Sequence, residues 1–158
     1  MENIKEIVDN LSEKHGQSPE SLLPILQGIV NKRHYISEDA IREVARVLNI
    51  STAKVFGTAS FYSFLDIKPR GKYVIRLCKT ITCNMHGSHM IRSTIENMLK
   101  IKLGDTTLNK KFTLLETNCL GWCHKGPAML VNDKSYTELT PEKIRAILTA
   151  YLNDEIEE

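Results

Sequence analysis

The chain has 158 residues, of which 42% are hydrophobic and 25% are charged, with a formal net charge of +2 at pH 7. This length is enough for one domain or two small domains with a real core. The near-neutral charge, with scattered lysines and arginines, excludes an evident nucleic-acid surface. Because no apolar run reaches the length of a membrane span and the first residues lack the features of a signal peptide, we expect no direct membrane insertion. The expected location is the cytoplasm, including the cytoplasmic face of a membrane complex.

The first part of the chain predicts a bundle of helices. Apolar residues recur at helical spacing in four segments, and each segment is bounded by a residue that commonly starts or ends a helix. These boundary residues are Gly16, Ser18, Ser37 and Ser51. Pro24 lies about one turn after Ser18, so we expect it to bend or shorten the start of the second helix.

A break in this pattern predicts a domain boundary. The run Lys68-Pro69-Arg70-Gly71 combines proline and glycine and separates the helical pattern from a β-rich segment. We therefore expect a helical bundle at residues 1–67 and an α/β domain at residues 72–158. The aromatic stretch at residues 59–64 is too short to assign to a helix or a strand.

The second domain reads as strand, helix, strand, hairpin and helix. The predicted strands begin the domain at residues 73–77 and continue at 112–115, with a helix at 86–103 between them. A turn at residues 132–134 predicts the hairpin, and Thr140-Pro141 predicts the start of the last helix. This order is compatible with a thioredoxin-like domain, so the predicted fold class is α+β, a helical bundle followed by a thioredoxin-like α/β domain.

The four cysteines form two close pairs that indicate a metal site. Cys78 and Cys83 are separated by four residues, and Cys119 and Cys123 by three. Each pair follows a predicted strand, so two loops could present their thiolates to one cofactor. In a reducing cytosol such cysteines are more commonly metal ligands or redox thiols than structural disulfides.

Three kinds of site remain open from the spacing. A zinc ion bound by four thiolates is possible, because zinc accepts pairs separated by two to four residues. A [2Fe-2S] cluster suits the wider loops better, because each pair has to surround one iron of a larger cofactor. A thiol–disulfide enzyme is disfavoured, because neither pair has the Cys-x-x-Cys spacing. The chain also lacks a glycine-rich nucleotide-binding motif.

Several motifs together resemble a known family. They are Cys78-x4-Cys83, Cys119-Leu-Gly-x-Cys123 followed by Gly126-Pro127, and Phe61-Tyr62-Ser63-Phe64 before Lys68-Pro69-Arg70-Gly71. The chain resembles the thioredoxin-like [2Fe-2S] subunits of NADH-dependent flavoprotein assemblies, the family that contains the 24 kDa subunit of respiratory complex I. It departs from the family pattern at two positions. Trp122 stands where a small residue is common, and Gly126 where alanine is usual.

The resemblance implies a role for each cysteine. Cys78 and Cys83 would hold one iron of a [2Fe-2S] cluster, and Cys119 and Cys123 the other. The chain would be an electron-transfer subunit without a catalytic site of its own, exchanging single electrons with the flavin of an NADH-oxidising or NAD-reducing partner subunit. The host would be complex I, a bidirectional or electron-bifurcating hydrogenase, or a formate dehydrogenase. The alternative is a zinc-stabilised interaction module without a redox role.

Further predictions concern the residues around the cysteines and the aromatic stretch before the domain boundary. Pro127 stands where thioredoxin-like folds often have a cis proline, so we predict a cis Gly126–Pro127 bond. His86 and His124 are expected beside the site rather than as ligands, because four thiols are already available. The aromatic residues Phe61, Tyr62 and Phe64 are predicted to lie in the core more readily than on a partner-facing surface. Lys79 and Lys125 either offset the cluster charge or are ordinary surface lysines.

Overall fold

The computed structural model describes residues 3–155, which divide into two compact units, the first ending at Arg70 and the second beginning at Gly71. Within residues 3–70 the α-helices are α1 (Ile4–His15), α2 (Leu22–Arg33), α3 (Glu38–Leu48) and α4 (Thr52–Phe61). They confirm the predicted helical bundle. Their buried residues form one apolar cluster: Ile7, Val8, Leu22, Ile25, Leu26, Ile29, Ile36, Ala40, Ile41, Val44, Ala45, Leu48, Val55, Ala59 and Leu65.

The starts of α3 and α4 follow the predicted caps. Ser37 accepts a hydrogen bond from the Ala40 amide at 3.2 Å, and Ser51 accepts one from the Lys54 amide at 3.3 Å. The prediction for α2 needs a correction, because a short 3-10 turn at Pro19–Ser21 precedes it. Pro24 therefore lies in the first turn of α2, where a missing N–H loses no intrahelical hydrogen bond.

The end of α4 contradicts the prediction of an aromatic core. The helix extends to Phe61 and buries only Val55 and Ala59. Phe61 is 79% exposed and Phe64 is 44% exposed, so these two rings lie at the surface. Tyr62 is partly buried against the core. The prediction failed because it rested on the usual burial of aromatic residues, whereas here the small buried face of α4 leaves the rings outside.

The second unit is built on a sheet with helices against it. Within residues 71–155 the strands are β1 (Tyr73–Cys78), β2 (Phe112–Thr117), β3 (Met129–Val131) and β4 (Lys134–Tyr136), in the order β2-β1-β3-β4. β1 and β2 are parallel, and the other pairs are antiparallel. The predicted hairpin is therefore present.

The helices of this unit are α5 (Ile81–Met85), α6 (Ser88–Leu99) and α7 (Pro141–Leu152). The sequence predicted one helix over 86–103, but the chain ends α6 at Leu99 because Lys100 adopts a left-handed conformation with φ 55°. Alternate sheet residues pack with α6 and α7 in a second core: Tyr73, Ile75, Leu77, Ile91, Ile95, Leu99, Phe112, Leu114, Met129, Val131, Leu139, Ile144, Leu148 and Tyr151.

The amino ends of β1 and β2 are closed by packed rings. Tyr73 lies 5.5 Å from Phe112 and 4.8 Å from Tyr151, measured between ring centroids. Lys111 adds two polar contacts at the same end, a 2.9 Å contact with Asp154 and a 2.8 Å hydrogen bond to the carbonyl oxygen of Leu152. In the part of the chain between residues 3 and 155, no helix has the length and apolar character needed to span a membrane.

Candidate metal centre

The parallel pairing of β1 and β2 brings the two cysteine segments to one edge of the sheet. Cys78 is the last residue of β1 and lies opposite Thr117, the last residue of β2. The Lys79 amide donates a 3.0 Å hydrogen bond to the Thr117 carbonyl oxygen, which ties the two strand ends together. Cys119 follows Thr117 by two residues, so the second cysteine pair leaves the sheet at the edge where the first pair begins.

The first cysteine pair is buried. Cys78 and Cys83 are each 1% exposed, and Cys83 lies on α5 rather than in the loop that the sequence predicted. The Sγ atom of Cys78 lies 3.2 Å from the hydroxyl oxygen of Thr80. Ser88, at the start of α6, donates a 3.2 Å hydrogen bond to the Cys78 carbonyl oxygen. Cys78 is thus contacted by Thr80 at its sulfur and by Ser88 at its carbonyl oxygen.

The second pair is exposed. The Sγ atoms of Cys119 and Cys123 are 3.1 Å apart, and both residues lie at the surface. Gly121 has φ +83°, a conformation that favours glycine, and its amide donates to the Cys119 sulfur at 3.4 Å. The backbone between these two cysteines is therefore folded back towards their sulfur atoms.

Gly126 lies close to both cysteine pairs: it follows Cys123 by three residues in the chain and contacts Cys83. A Cβ atom at this position would lie at the ordinary contact distance of 3.6 Å from the Cys83 sulfur, so Gly126 packs directly beside the buried pair. The Gly126–Pro127 peptide bond is cis, as predicted. Directly after it, the Ala128 carbonyl oxygen accepts a 3.1 Å hydrogen bond from the Cys78 amide. The chain leaving the second pair thus runs against both cysteines of the first.

The thiols also affect one another electrostatically. Burial alone would raise the pKa of Cys78, but hydrogen bonds from Thr80 and from the backbone of Leu120 outweigh it and lower that pKa below its ordinary value. Burial raises the pKa of Cys83. The neighbouring Cys119 thiol raises the pKa of Cys123, and the charges of Cys83 and Cys78 add to that effect. The buried pair therefore affects the pKa of Cys123 in the exposed pair.

Aromatic and basic side chains border the exposed pair. The Trp122 ring is 38% exposed, and its centroid lies 6.1 Å from that of His124. The Lys125 ammonium lies 6.0 Å from the same tryptophan centroid. His86 has its Nδ1 atom 2.7 Å from the Thr82 carbonyl oxygen.

The donor set fits a [2Fe-2S] cluster. All four cysteines are free thiols, and they are divided between two segments as the ligands of two irons would be. Among residues 3–155, no three or more His, Cys, Asp or Glu side chains are placed so that they could hold a metal ion.

Comparison with known proteins assigns the family. The sequence profile of the thioredoxin-like [2Fe-2S] ferredoxins matches residues 5–152. The chain belongs to the thioredoxin-like [2Fe-2S] ferredoxin family. This membership confirms the predicted family, the thioredoxin-like fold of the second domain and the [2Fe-2S] cofactor.

Two bacterial relatives of this ferredoxin-family chain are similar over most of their length. The NADH-quinone oxidoreductase of Buchnera aphidicola has a subunit that is 42% identical over 126 residues, which are 80% of this chain and 78% of the relative. The corresponding subunit in Escherichia coli strain K12 is 38% identical over 138 residues, which are 87% and 83% of the two chains.

A solved structure shares the fold. The air-oxidized NAD+-reducing [NiFe]-hydrogenase gives a TM-score of 0.77 at 20% identity, and the match covers 89% of this ferredoxin-family chain. It covers only 24% of the hydrogenase chain.

Sequence reasoning missed two residues that support the site. A hydroxyl residue two positions after a candidate ligand was the available signal for Thr80, since short polar side chains commonly bond to nearby groups. Ser88 gave no such signal, because its bond to the Cys78 carbonyl oxygen depends on how α6 packs against β1.

Proposed function

We propose that this chain is an electron-transfer subunit whose [2Fe-2S] cluster is held by Cys78 and Cys83 on one iron and by Cys119 and Cys123 on the other. The cluster exchanges single electrons with the flavin of a partner subunit that oxidises NADH or reduces NAD. The chain has no catalytic site of its own in this proposal. The observation that carries it is the meeting of two thiol pairs at the carboxyl ends of adjacent parallel strands.

Several residues of the chain would help to hold the cofactor, each in a different way. The bound cluster supplies one-electron redox chemistry. Thr80 and Ser88 position Cys78 through their hydroxyl groups, and Gly126 packs beside Cys83. Backbone amides such as that of Gly121 donate towards sulfur, which stabilises negative charge on the ligands.

The nature of the partner rests on the relatives. Two of them are named as subunits of NADH-quinone oxidoreductases, and the fold neighbour is an NAD+-reducing hydrogenase. We therefore infer a flavin- and NADH-binding partner subunit, and a host that is complex I, a bidirectional or electron-bifurcating hydrogenase, or a formate dehydrogenase. The proposed location is the cytoplasm or the cytoplasmic face of a membrane complex.

The test is reduction of the cluster by NADH. The chain is purified anaerobically and mixed with NADH, with and without the purified flavin-containing, NADH-oxidising subunit from the same organism. We expect the visible absorbance of the cluster to bleach only when the flavoprotein is present. A cluster that dithionite reduces but that NADH and the flavoprotein leave oxidised would contradict the proposed partner.

Two variants distinguish the loss of a cluster ligand from general damage to the fold. Cys123→Ala removes a proposed ligand, so it should lose the cluster absorbance. Leu108→Ala truncates a fully exposed side chain of the same unit and should retain it. A Cys123→Ala protein that keeps a full [2Fe-2S] cluster would refute this ligand set. A wild-type chain that holds about one zinc and no iron after anaerobic reconstitution would support the interaction module instead.

A further inference from the structure

The two cysteine pairs differ in how far solvent reaches them. Cys119 and Cys123 lie at the surface, and among the residues between them only Leu120 is partly buried. Cys78 and Cys83 are each 1% exposed. Thiol–disulfide exchange begins when a thiolate attacks the sulfur of a reagent, so its rate depends on access to the thiol. A soluble disulfide therefore reaches the exposed pair and not the buried one.

The exposed thiols are close to the geometry of a disulfide. The Sγ atoms of Cys119 and Cys123 are 3.1 Å apart, whereas a disulfide holds its sulfur atoms about 2.0 Å apart, so they have to approach by about 1 Å. The turn between them has room for this movement, because a Cβ atom at Gly121 would meet no atom within 4 Å. A bond between the two sulfur atoms thus needs only a local change in one exposed turn.

The buried thiols are held by their surroundings. The Cys78 sulfur lies 3.2 Å from the hydroxyl oxygen of Thr80, and the Cys78 amide donates a 3.1 Å hydrogen bond to the backbone after Pro127. The Cys83 sulfur lies 3.6 Å from the Cβ position of Gly126. An oxidant has to wait for this packing to open before it reaches either sulfur. The two pairs should therefore respond differently to the same oxidant.

We propose that, in the chain without its cluster, Cys119 and Cys123 form a reversible disulfide that blocks cluster loading, while Cys78 and Cys83 remain thiols. The inference rests on the ligand assignment of the proposed function. The oxidant is a low-molecular-weight disulfide of the glutathione class. One thiolate of the exposed pair attacks it and releases a thiol, and the other then attacks the mixed disulfide and releases the second thiol. The pair loses two electrons and two protons, and the oxidant becomes two thiols.

The consequence of this disulfide is that oxidation and cluster loading exclude each other. Iron binds the thiolate form of cysteine, so an oxidised pair offers no ligand to its iron. Reduction by a dithiol breaks the bond and restores both ligands. Once the cluster is bound, the same sulfur atoms are ligated and no longer attack a disulfide. The exposed pair therefore makes cluster loading dependent on a reducing environment.

The first measurement counts free thiols. The cluster is removed from the full chain with a chelator under reducing, anaerobic conditions, and circular dichroism checks that the secondary structure is retained. The chain is then incubated with oxidised glutathione, quenched with acid, unfolded, alkylated and digested for mass spectrometry. We expect the loss of two of the four alkylatable thiols, with Cys119 linked to Cys123. The chain that carries its cluster should lose none.

Two serine variants test each pair in turn. In Cys119→Ser, the thiol of Cys123 has lost its partner, so it should keep a bound glutathione as a stable mixed disulfide. Cys78→Ser is the matched control, because it retains both exposed thiols and should link them as the wild type does. Mass spectrometry of the intact chains distinguishes the two products.

The second measurement tests whether the disulfide blocks loading. A carrier protein that holds a [2Fe-2S] cluster is mixed with the cluster-free chain without added thiol or sulfide, since either would reduce the disulfide. Visible circular dichroism follows the transfer of the cluster. The reduced chain should gain the cluster, and the oxidised chain should gain almost none until dithiothreitol is added.

Three outcomes would overturn the inference, each for a different reason. Four free thiols after incubation with glutathione, in a chain that then takes up the cluster, would refute the disulfide and leave the proposed function intact. A bond that joins Cys83 to Cys123 would show that the oxidant reaches the buried pair. An oxidised chain with Cys119 linked to Cys123 that still gains a full cluster would refute the block and the ligand assignment of the proposed function together.

Discussion

The two ends of β1 and β2 differ in what they contain. At the amino ends, Tyr73 and Phe112 pack with Tyr151, and Lys111 binds Asp154, so the side chains there have partners within the unit. At the carboxyl ends lie free thiols, two of them exposed, beside apolar side chains open to solvent.

This contrast shows how one sheet serves stability and function at opposite ends. Ligands of open α/β sheets commonly bind beyond the carboxyl ends of the strands, where the chain leaves the sheet. In this unit the amino ends contribute packing free energy, and the carboxyl ends hold the four free thiols. The following predictions test whether the two ends can be perturbed separately.

The largest expected effect is loss of the cofactor from the carboxyl end. Cys123→Ala should lower bound iron from about two per chain to almost none, because one iron loses a thiolate ligand. The free energy of unfolding of the metal-free chain should change by less than about 0.5 kcal/mol, because Cys123 is exposed. Iron analysis and urea unfolding measure the two quantities. A large stability loss would mean that the carboxyl end also supports the fold.

A substitution at the amino ends of the strands should lower stability and leave the cofactor content unchanged. Phe112 is fully buried, so Phe112→Ala should lower the free energy of unfolding by about 3–5 kcal/mol through loss of packing and creation of a cavity. Phe112→Leu provides a milder variant should the alanine protein fail to fold. Folded protein of either variant should still bind a full cluster. Iron loss from folded Phe112→Leu would show that the two ends are not separable.

An intermediate effect is expected at Ser88, which links the core to the site. Its buried hydroxyl donates to the Cys78 carbonyl oxygen, so Ser88→Ala should cost about 1–3 kcal/mol by leaving that acceptor unsatisfied. Urea unfolding measures the loss, and Ser93→Ala, at an exposed position of α6, is the matched control. Equal stability of the two variants would exclude a structural role for this hydrogen bond.

The smallest effect is expected from the exposed ion pair at the amino end. The hydrogen bond from Lys111 lowers the pKa of Asp154 below its ordinary value of 3.8. Its stabilising effect is therefore present above the ordinary pKa and disappears as pH falls through the lowered folded-state pKa. The melting temperature of the wild-type protein should be slightly higher than that of Asp154→Asn at neutral pH. This difference should disappear in acid. A difference in melting temperature that does not change with pH would indicate that Asp154 stabilises the protein through packing rather than through its charge.

Much of the fold follows from the sequence because its signals are local. The strands that begin at Tyr73 and Phe112, the hairpin after β3, and the capped helix α7 all combine periodic apolar residues with clear turn or cap residues. Helix α5 could not be predicted, because it is only five residues long and two of its apolar side chains face solvent. The exposure of Phe61 also lay beyond the sequence, because it depends on which face of α4 packs.

The candidate site shows the same division. The spacing of the four cysteines predicts a metal site, and the place of Pro127 in a thioredoxin-like fold predicted the cis bond before it, which the structure confirms. The burial of Cys78 and Cys83, against the exposure of Cys119 and Cys123, was not predictable. It depends on how α5 and the segment after Gly126 pack at the strand ends.

The most direct test of the central claim is the content of iron, sulfide and zinc in anaerobically purified protein, with EPR spectra before and after dithionite. The account predicts about two irons and two sulfides per chain, no signal in the oxidised state, and a half-integer-spin signal after reduction that Cys123→Ala abolishes. About one zinc per chain, with no iron after anaerobic reconstitution, would contradict it.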